Sequence, residues 1–326
     1  MAVFRQYRKR IHRYSIALTL LFGCLAAGVT SPSTAWADTE VIAIVYPDIR
    51  QFKDIFNDII NGIEQESDHK VIPYAIGNDF DPNEFQSWTQ ALNIKVIIAI
   101  GNSGMKAADA VSDKIPVISN AFLVPDSKDD NIAGISLAAD PTPLFDHLTL
   151  LAPDVKRVST VYNPEISGWL IEIAELLAKK HGLKLIAYEA TDIKTAARLY
   201  DKILKHSNPK EDAIWLLQDK TTVNDEVILP LILKEAWNRS LVFFSSIGTH
   251  AKNGALFSLY PDYAGLGRSL AKMANEYLDN TSRPQPRIEP LKDLQIAVNA
   301  RTADHLNLNI NKGGKKFDLI FPTPKN

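Results

Sequence analysis

Apolar residues follow two different spacings along the chain. Some runs are apolar at every position, for example residues 96–100, and such runs are typical of strands that are buried on both faces of a sheet. Other segments carry apolar residues at i, i+3, i+4 and i+7, as Phe52, Ile55, Phe56 and Ile59 do, which predicts a helix with one buried face. The predicted strands are residues 41–46, 71–76, 96–100, 116–120, 157–162, 183–188, 213–217, 241–245, 255–259 and 294–298. The predicted helices are residues 52–63, 82 onward, 105–111, 140–151, 164–181, 192–206, 222–238 and 262–278.

The strand–helix alternation restarts after Ala139, which divides the chain into two blocks of similar size. Alternating strands and helices predict parallel sheets covered by helices. A chain beyond about 250–300 residues no longer grows a single core, so two lobes are expected. The predicted fold class is α/β, with two doubly wound parallel-sheet lobes. Such sheets bind ligands beyond the carboxyl ends of their strands, and the cleft between the lobes is the expected site.

Residues 1–37 have the pattern of a secretory signal peptide. Residues 1–14 carry basic side chains and no acid, residues 15–29 are almost wholly apolar, and Ala35-Trp36-Ala37 has the small residues of a cleavage site before Asp38. The apolar run is shorter than the ~20 residues that a membrane span needs. A lipoprotein signal, with Cys24 as the lipidated residue, is the alternative to cleavage after Ala37.

Composition narrows the classes of function. Cys24 is the only cysteine, so cleavage after Ala37 would leave a chain with no disulfide, no cysteine-ligated zinc and no cysteine nucleophile. The whole chain has 36 Lys and Arg against 38 Asp and Glu, and the first 37 residues hold only basic members of this set. Because no basic patch stands out, we expect no nucleic acid partner.

Motifs of the common enzyme and cofactor classes are missing. GxGxxG does not follow the first strand, and neither GxxxxGK[ST] nor HExxH occurs, so we expect no cofactor and no metal. We interpret the scattered histidines as solvated or structurally satisfied. Ser103 lies at a strand–helix junction, as the nucleophile of an α/β hydrolase would, but GxSxG requires glycine where the chain has Met105.

The turn Gly101-Asn102-Ser103-Gly104 is the first candidate for ligand binding. Unpaired backbone N–H groups at a helix start, beside a hydroxyl and an amide, favour an anionic group such as a carboxylate. The alternative is that Ser103 or Asn102 only caps the following helix.

Three further strand ends carry polar or aromatic residues: Tyr46-Pro47-Asp48, Tyr162-Asn163-Pro164-Glu165 and the segment around Asp219. Asp219 could receive an ammonium or hydroxyl group of a ligand, or it could be the N-cap of a helix that starts at Thr222. Tyr46, Phe122, Tyr162 and Trp169 could supply apolar walls, although core packing is the simpler role for Trp169 inside a helix.

Several segments, taken in order, resemble one family of binding proteins. They include Ala152-Pro153-Asp154-Val155-Lys156-Arg157-Val158 and Asp262-Tyr263-Ala264-Gly265-Leu266-Gly267-Arg268. The others are residues 131–136, 163–165, 254–255 and 297–299, with Asp219 and Ala303. Over about residues 41–310 the chain resembles the ABC-transporter substrate-binding proteins of the tryptophan/tyrosine-binding type, which are type I periplasmic binding proteins.

The resemblance implies a three-crossover hinge between the two lobes and a periplasmic location. It implies an N-terminal lobe of residues 38–139 and 261–290, a C-terminal lobe of residues 140–260 and 291–310, and a polar tail, 311–326, that we interpret as a surface strap. The hinge is expected near Ala139, Pro261 and Pro290. The expected ligand-binding residues are Tyr46, Asn102, Ser103, Gly104, Phe122, Tyr162, Asn163, Glu165, Ser167, Asp219 and Ser246.

The chain departs from the family pattern in two places. Family members often have Thr-Pro-Ala where this chain has Asn102-Ser103-Gly104, and an Asp-Pro pair where it has Asn120-Ala121-Phe122-Leu123. Both places belong to the N-terminal half of the expected site.

The resemblance implies a monomeric, non-enzymatic protein that binds an amino acid or similar carboxylate and delivers it to an ABC permease of the inner membrane. The alternatives are a sensory module that presents its closed state to a membrane receptor and, with less support, an α/β hydrolase that uses Ser103.

Overall fold

The first of two sheets is wholly parallel. The computed structural model describes residues 40–121, 132–279, 287–311 and 317–323. The first sheet has the strand order β11-β5-β4-β3-β1-β2, and each pair of neighbours is parallel. Its strands are β1 (Val41–Pro47), β2 (Lys70–Ile76), β3 (Ile94–Ile100), β4 (Val117–Asn120), β5 (Ala133–Ala139) and β11 (Ile288–Leu291). The apolar runs therefore predicted four of its six strands, and they missed β5 and β11.

Helices cover both faces of the first sheet. They are α1 (Lys53–Glu66), α2 (Pro82–Ala91), α3 (Gly101–Asp109) and α9 (Tyr263–Asp279), and a short 3₁₀ turn, Arg50–Phe52, precedes α1. Side chains of a strand alternate between faces, and in β1 Ile42 and Ile44 join a core with α1 and α9. Ala43 and Val45 join a second core with α2 and α3 on the opposite face. This double burial explains why the strand has no polar position.

The second sheet is parallel except at one pair. Its strand order is β13-β12-β10-β9-β8-β6-β7, and only the β10–β12 pair is antiparallel. Its strands are β6 (Arg157–Tyr162), β7 (Lys184–Glu189), β8 (Asp212–Leu216), β9 (Val242–Ser245), β10 (Phe257–Pro261), β12 (Leu294–Asn299) and β13 (Leu319–Phe321). The prediction of two covered parallel sheets is therefore confirmed in its main part and corrected at β12 and β13.

The second sheet is also covered on both faces. Its helices are α4 (Thr142–Leu151), α5 (Pro164–Lys180), α6 (Ile193–His206), α7 (Ile228–Arg239), α8 (Thr249–Asn253) and α10 (Ala300–His305). In β8, Trp215 packs with α4 and α5, whereas Ile214 and Leu216 pack with α6 and α7. No helix within the described ranges combines the length and the apolar character that crossing a membrane requires.

The chain crosses between the sheets three times. It leaves the first sheet after β5, returns to it between β10 and α9, and leaves it again between β11 and β12. The crossings lie side by side, because the N–H of Asp140 donates to the carbonyl of Leu291 over 2.8 Å and the N–H of Asp262 donates to the carbonyl of Asp293 over 2.9 Å. Three adjacent connections of two or fewer residues are the only described links of the backbone between the sheets.

Three expectations about individual elements are wrong. The helix predicted from Thr222 begins at Ile228, because the Asn224 side chain accepts hydrogen bonds from the N–H groups of Glu226 and Val227, which holds a turn there. The proline-rich connector contains β11, an edge strand, where proline is tolerated. The tail is not only a surface strap, because its β13 pairs with β12.

Candidate functional site

Asp219 and Asn163 join two strand ends at the carboxyl edge of the second sheet. Asn163 follows β6, and Asp219 follows β8. The N–H of Asn163 donates to Asp219 Oδ2 over 2.8 Å, and Thr221 donates to Asp219 Oδ1 from its N–H at 2.9 Å and its hydroxyl at 2.6 Å. The carboxylate is only 1% exposed. Asp219 is therefore not the N-cap of a helix that starts at Thr222, and in this conformation both of its oxygens hold the loops in place.

Asn163 has two structural functions at the same point. It is the N-cap of α5, and its side-chain oxygen accepts a hydrogen bond from the N–H of Glu165 at 3.0 Å. The Asn163 N–H is also bonded to Asp219, so both the backbone and the side chain of this residue fix the start of α5. Glu165, in the first turn of α5, is exposed. The Glu165 carboxylate is thus exposed to solvent, and the backbone that carries it is held in place by hydrogen bonds.

Ser167 and Ser246 line one small cavity of about 10 Å³. Both are about 5% exposed, and the Ser246 hydroxyl accepts a hydrogen bond from the indole N–H of Trp215 at 3.0 Å. Ala138 and Ala139, at the end of β5 in the first sheet, line the same cavity. The carboxyl end of a first-sheet strand therefore meets the carboxyl-edge loops of the second sheet.

Trp169 has both of the roles that its position in a helix allowed. Its ring packs against the core between the second sheet and α4 and α5. It also lines the small cavity, and its indole N–H is buried without a hydrogen-bond partner among the described residues. A buried donor without a partner costs about 1–3 kcal/mol, so an acceptor brought to this point would be stabilised.

Tyr162 lies half-buried at the end of β6, beside these groups. Its hydroxyl donates to Oε1 of Glu189 over 3.2 Å. Burial raises the pKa of Tyr162, and the hydrogen bond to Glu189 raises it further. The phenol therefore stays neutral with its proton donated to Glu189, and its ring can act as an apolar wall.

At the carboxyl edge of the first sheet, the expected turn is the first turn of a helix. α3 begins at Gly101, directly after β3, and Gly101 has a φ of +66°, which favours glycine. The residue before the helix is Ile100, and no side chain caps it, so the alternative that Ser103 or Asn102 caps its own helix is wrong. The side chains of Asn102 and Ser103 are both exposed, whereas Gly104 is buried.

Gly104 brings this first turn against β1. A Cβ at Gly104 would overlap the carbonyl oxygen of Val45, which is a backbone atom and cannot move aside. Tyr46, the next residue of β1, is half-buried, and its ring centroid lies 5.7 Å from that of Phe56. Asn102, Ser103, Gly104 and Tyr46 therefore share one edge of the first sheet.

Sequence reasoning missed two exposed apolar residues at that edge. Ile49 and Phe52 follow β1 and are 40% and 42% exposed, and Phe52 packs edge-on against Phe56 with 6.4 Å between ring centroids. The signal was present, because Phe52 stood at the end of the predicted apolar face of α1, but it was assigned to the core. Phe122, another expected wall, lies outside the described residues, as do residues 1–37 with Cys24.

A serine of β9 lies in hydrogen-bonding series with a histidine of α8 and an aspartate of the loop before α7. Ser245 Oγ lies 2.9 Å from His250 Nδ1, and His250 Nε2 lies 3.1 Å from Asp225 Oδ1. Ser245 and His250 are both 0% exposed, so no substrate can reach the hydroxyl in this conformation. Ser103 has no histidine within hydrogen-bonding distance among the described residues. Ser245 is therefore out of reach of a substrate in this conformation, and Ser103 lacks the neighbouring base that a serine nucleophile needs.

The comparisons with known proteins agree with this architecture. Residues 82–313 match the family model described as ABC transporter substrate binding protein. Curated proteins give no match to the chain.

Two solved structures with the same fold illustrate the likeness. One is the ABC domain from Streptococcus pneumonia in complex with L-Trp, with 18% identity, coverage of 86% of this chain and 99% of that one, and a TM-score of 0.53. The other is the ligand-free, open form of CD0873 from Clostridium difficile, a substrate binding protein with adhesive properties, with 17% identity, coverage of 87% and 100%, and a TM-score of 0.61. At these identities the likeness concerns the fold alone. The family match, which spans more than half of the chain, together with two covered sheets and three crossings, shows that the chain belongs to the ABC transporter substrate-binding proteins and has the type I periplasmic binding protein fold.

Proposed function

We propose that this chain captures a small solute, an amino acid or a related carboxylate, between the carboxyl edges of its two sheets and delivers it to the permease of an ABC importer. Membership of a substrate-binding family supports the binding role. The resemblance to the tryptophan/tyrosine-binding type, and a neighbour in fold that was solved with L-Trp, support an amino acid as the solute. We propose that the solute leaves chemically unchanged.

The observation that carries the proposal is the convergence of polar groups at the carboxyl edge of the second sheet. Asn163, Ser167, Asp219 and Ser246 come from segments after three different strands and lie together there. The end of β5 closes the same region from the first sheet. Ligands of doubly wound sheets bind at such edges.

The first-sheet edge supplies the complementary groups in this proposal. The exposed first turn of α3 offers N–H groups and the Ser103 hydroxyl to a carboxylate, with the helix dipole favouring the negative charge. The exposed ring of Phe52 and the half-buried ring of Tyr46 offer an apolar wall to a side chain. Asp219 acts mainly by positioning Asn163, since its oxygens are already bonded.

Closure is proposed to occur at the three side-by-side crossings. Short parallel connections can change their φ and ψ angles together while each sheet keeps its own two cores. A solute that touches both edges binds the closed form more tightly and shifts the population toward it. The closed form then presents one continuous surface to the permease, with the protein acting as a monomer in the periplasm.

The location follows from the proposed signal peptide. Export with cleavage after Ala37 predicts that the mature protein begins at Asp38. N-terminal sequencing of the exported protein tests this. A lipid-modified N-terminus at Cys24 would contradict it and support the lipoprotein alternative.

A thermal-shift screen of the twenty amino acids and small carboxylates, on the chain from Asp38 onward, tests the function. A solute at about 100 times its Kd stabilises the native state by roughly 2.7 kcal/mol. Mass spectrometry of the recovered solute checks that it is unchanged. A screen without any stabilising compound, or one in which the bound compound is converted, would overturn the proposal.

Two serine variants localise the solute. Ser103→Ala removes an exposed hydroxyl at the first turn of α3 and is expected to weaken binding at least about tenfold, since a hydrogen bond to a charged group contributes about 1.5–3 kcal/mol. Ser112→Ala removes an exposed hydroxyl just beyond the other end of the same helix and is the matched control. If the solute bound the two variants with equal affinity, its carboxylate would not lie at the start of α3.

A further inference from the structure

A cavity of about 470 Å³ lies at the amino edge of the second sheet, away from the proposed solute site. It is bordered by the last turns of α7, the end of α8, the residues that enter β9 and β10, the end of β12, and α10. Leu241 precedes β9 and lines this cavity, whereas Ser246 follows β9 at the opposite edge. The four residues of β9 span about 13 Å, which separates the two places.

The Lys and Arg residues that line this cavity have no acidic residue beside them in the lining. Lys234, Lys252 and Arg301 line it and are exposed, and none of them forms an ion pair with a described acidic residue. Among the described lining residues there is no Asp or Glu, and the nearby acids Glu235 and Asp304 are not part of the lining. The whole chain has a net charge of −2, so this concentration of positive charge is local. Positive groups around a concave surface raise the local concentration of anions.

A flat aromatic wall stands beside these cations. Trp237 is 47% exposed, which is unusual for so large an apolar side chain. Its ring is stacked on His305, with 3.8 Å between ring centroids and 8° between planes. His305 Nε2 lies 2.9 Å from the carbonyl oxygen of Trp237, so the pair is fixed in orientation. A pre-oriented indole provides a stacking surface without a further ordering cost.

The floor of the cavity is apolar. Leu241, Ala236 and Phe243 line it and are at most 5% exposed. A volume of about 470 Å³ lies within the roughly 300–1,000 Å³ of small-molecule sites, which combine apolar walls with a few placed polar groups. An apolar floor, an aromatic wall and three unpaired cations together fit a ligand that carries both a flat ring and a negative charge.

We propose that this cavity is a second binding site, which takes a small organic anion with an aromatic ring. The ring stacks on the Trp237–His305 wall, and the anionic group meets Arg301 and Lys252, since a guanidinium fork suits a carboxylate. The site is independent of the proposed solute site, because it uses the other edge of the sheet and none of the same residues. An aromatic anion bound in this cavity would lie on a face of the protein that is separate from the solute cleft.

Calorimetric titration with indole-3-acetate tests the proposal on the chain from Asp38 onward. The neutral indole-3-acetamide is the matched ligand control. We expect the acid to bind at micromolar to millimolar concentration, the amide to bind at least about tenfold more weakly, and added salt to weaken the acid only. No binding of the acid at millimolar concentration, or equal binding of acid and amide, overturns the proposal.

Three variants distinguish this site from the cleft. The double variant Lys252→Gln/Arg301→Gln is expected to weaken the acid at least about tenfold, and Trp237→Leu to weaken acid and amide alike. Lys95→Gln removes an exposed cation of the first sheet and leaves affinity unchanged. Because all the altered side chains are exposed, unfolding temperatures close to that of the parent are expected. If the double variant bound indole-3-acetate as tightly as the parent chain does, the acid would bind elsewhere and the proposal would be overturned.

Discussion

The backbone N–H of Asn163 donates to Oδ2 of Asp219 over 2.8 Å, and the two residues are 56 positions apart in sequence. This one contact joins the loops that follow β6 and β8 at the edge where the solute is proposed to bind. Since Asn163 is also the N-cap of α5, the Asp219 carboxylate fixes the start of a 17-residue helix. The shape of this edge therefore depends on a buried carboxylate that is bonded to backbone N–H groups of neighbouring loops.

Replacing Asp219 by alanine is expected to destabilise the chain by about 1–3 kcal/mol, because the N–H groups of Asn163 and Thr221 would lose their acceptor. Solute stabilisation in the thermal-shift assay should also be lost, as the start of α5 would move. Urea unfolding measures the first effect. Asp201→Ala, which removes one half of an exposed pair with Lys205, is the control and should change stability by less than about 0.5 kcal/mol. Similar values for the two variants would refute the positioning role.

Two glycine substitutions are expected to have opposite signs. Gly104→Ala places a Cβ against the carbonyl of Val45 and should destabilise the chain by about 1–3 kcal/mol, as overpacking does. Gly168→Ala lies in the interior of α5, where a Cβ has no atom within 4 Å, and should stabilise the chain by up to about 1 kcal/mol. Thermal and urea unfolding of the pair measure both. A neutral Gly104→Ala would show that α3 does not lie so close to β1.

Acid is expected to weaken the fold through His250. Burial lowers the pKa of His250, and Asp225 only partly opposes this. Below the usual histidine pKa of about 6.5, the unfolded chain therefore binds a proton that the folded chain still lacks. The free energy of unfolding should thus fall as the pH drops from about 6.5 through the folded pKa, and this group should have no effect above that range. Urea unfolding over a pH series measures the slope.

Two variants isolate the contribution of His250. Asp225→Asn removes the partner that raises its pKa, so the loss of stability should extend to lower pH. His206→Gln, at the exposed end of α6, should leave the pH dependence in place. If Asp225→Asn had the same profile as the parent chain, the ion pair would not contribute to the titration of His250.

The contact between the tail and β12 gives a prediction about the last strand. Asp318 Oδ2 accepts a hydrogen bond from the N–H of Ile296 at 2.7 Å, just before β13. Asp318→Ala should cost about 0.5–1.5 kcal/mol, whereas Asp318→Asn keeps an acceptor oxygen and should recover most of it. Hydrogen exchange at the Ile296 amide is the direct measurement. Unchanged protection in the alanine variant would show that β13 does not depend on this carboxylate.

Most of the strands could be predicted from the sequence, because a strand that is buried on both faces of its sheet is apolar at every position. Residues 96–100 are apolar throughout since each belongs to a core above or below the first sheet. The missed elements lack that signal. β5 contains Gly134 and Ser136, which interrupt its apolar run. β11 contains Pro290 and lies at an edge, and β13 has only three residues, so pairing with β5 and β12 decides their conformation rather than local preference.

The candidate site was less predictable for a different reason. Strand ends could be located from the pattern, but the partners of their polar groups depend on contacts between distant segments. Asp219 was open to interpretation as a helix cap or a ligand contact, and only the position of Asn163 reveals what its oxygens hold. The Trp237–His305 stack joins residues that are 68 positions apart, and nothing in either local pattern announces it.

The three crossings have a consequence for how the protein is made. The first sheet needs β11, and the second needs β12 and β13, which all lie after residue 287. A nascent chain that has not yet released this last segment from the ribosome cannot complete either sheet. Synthesis and final folding are thereby separated in time, and a polypeptide that stopped just before residue 288 would leave both sheets incomplete.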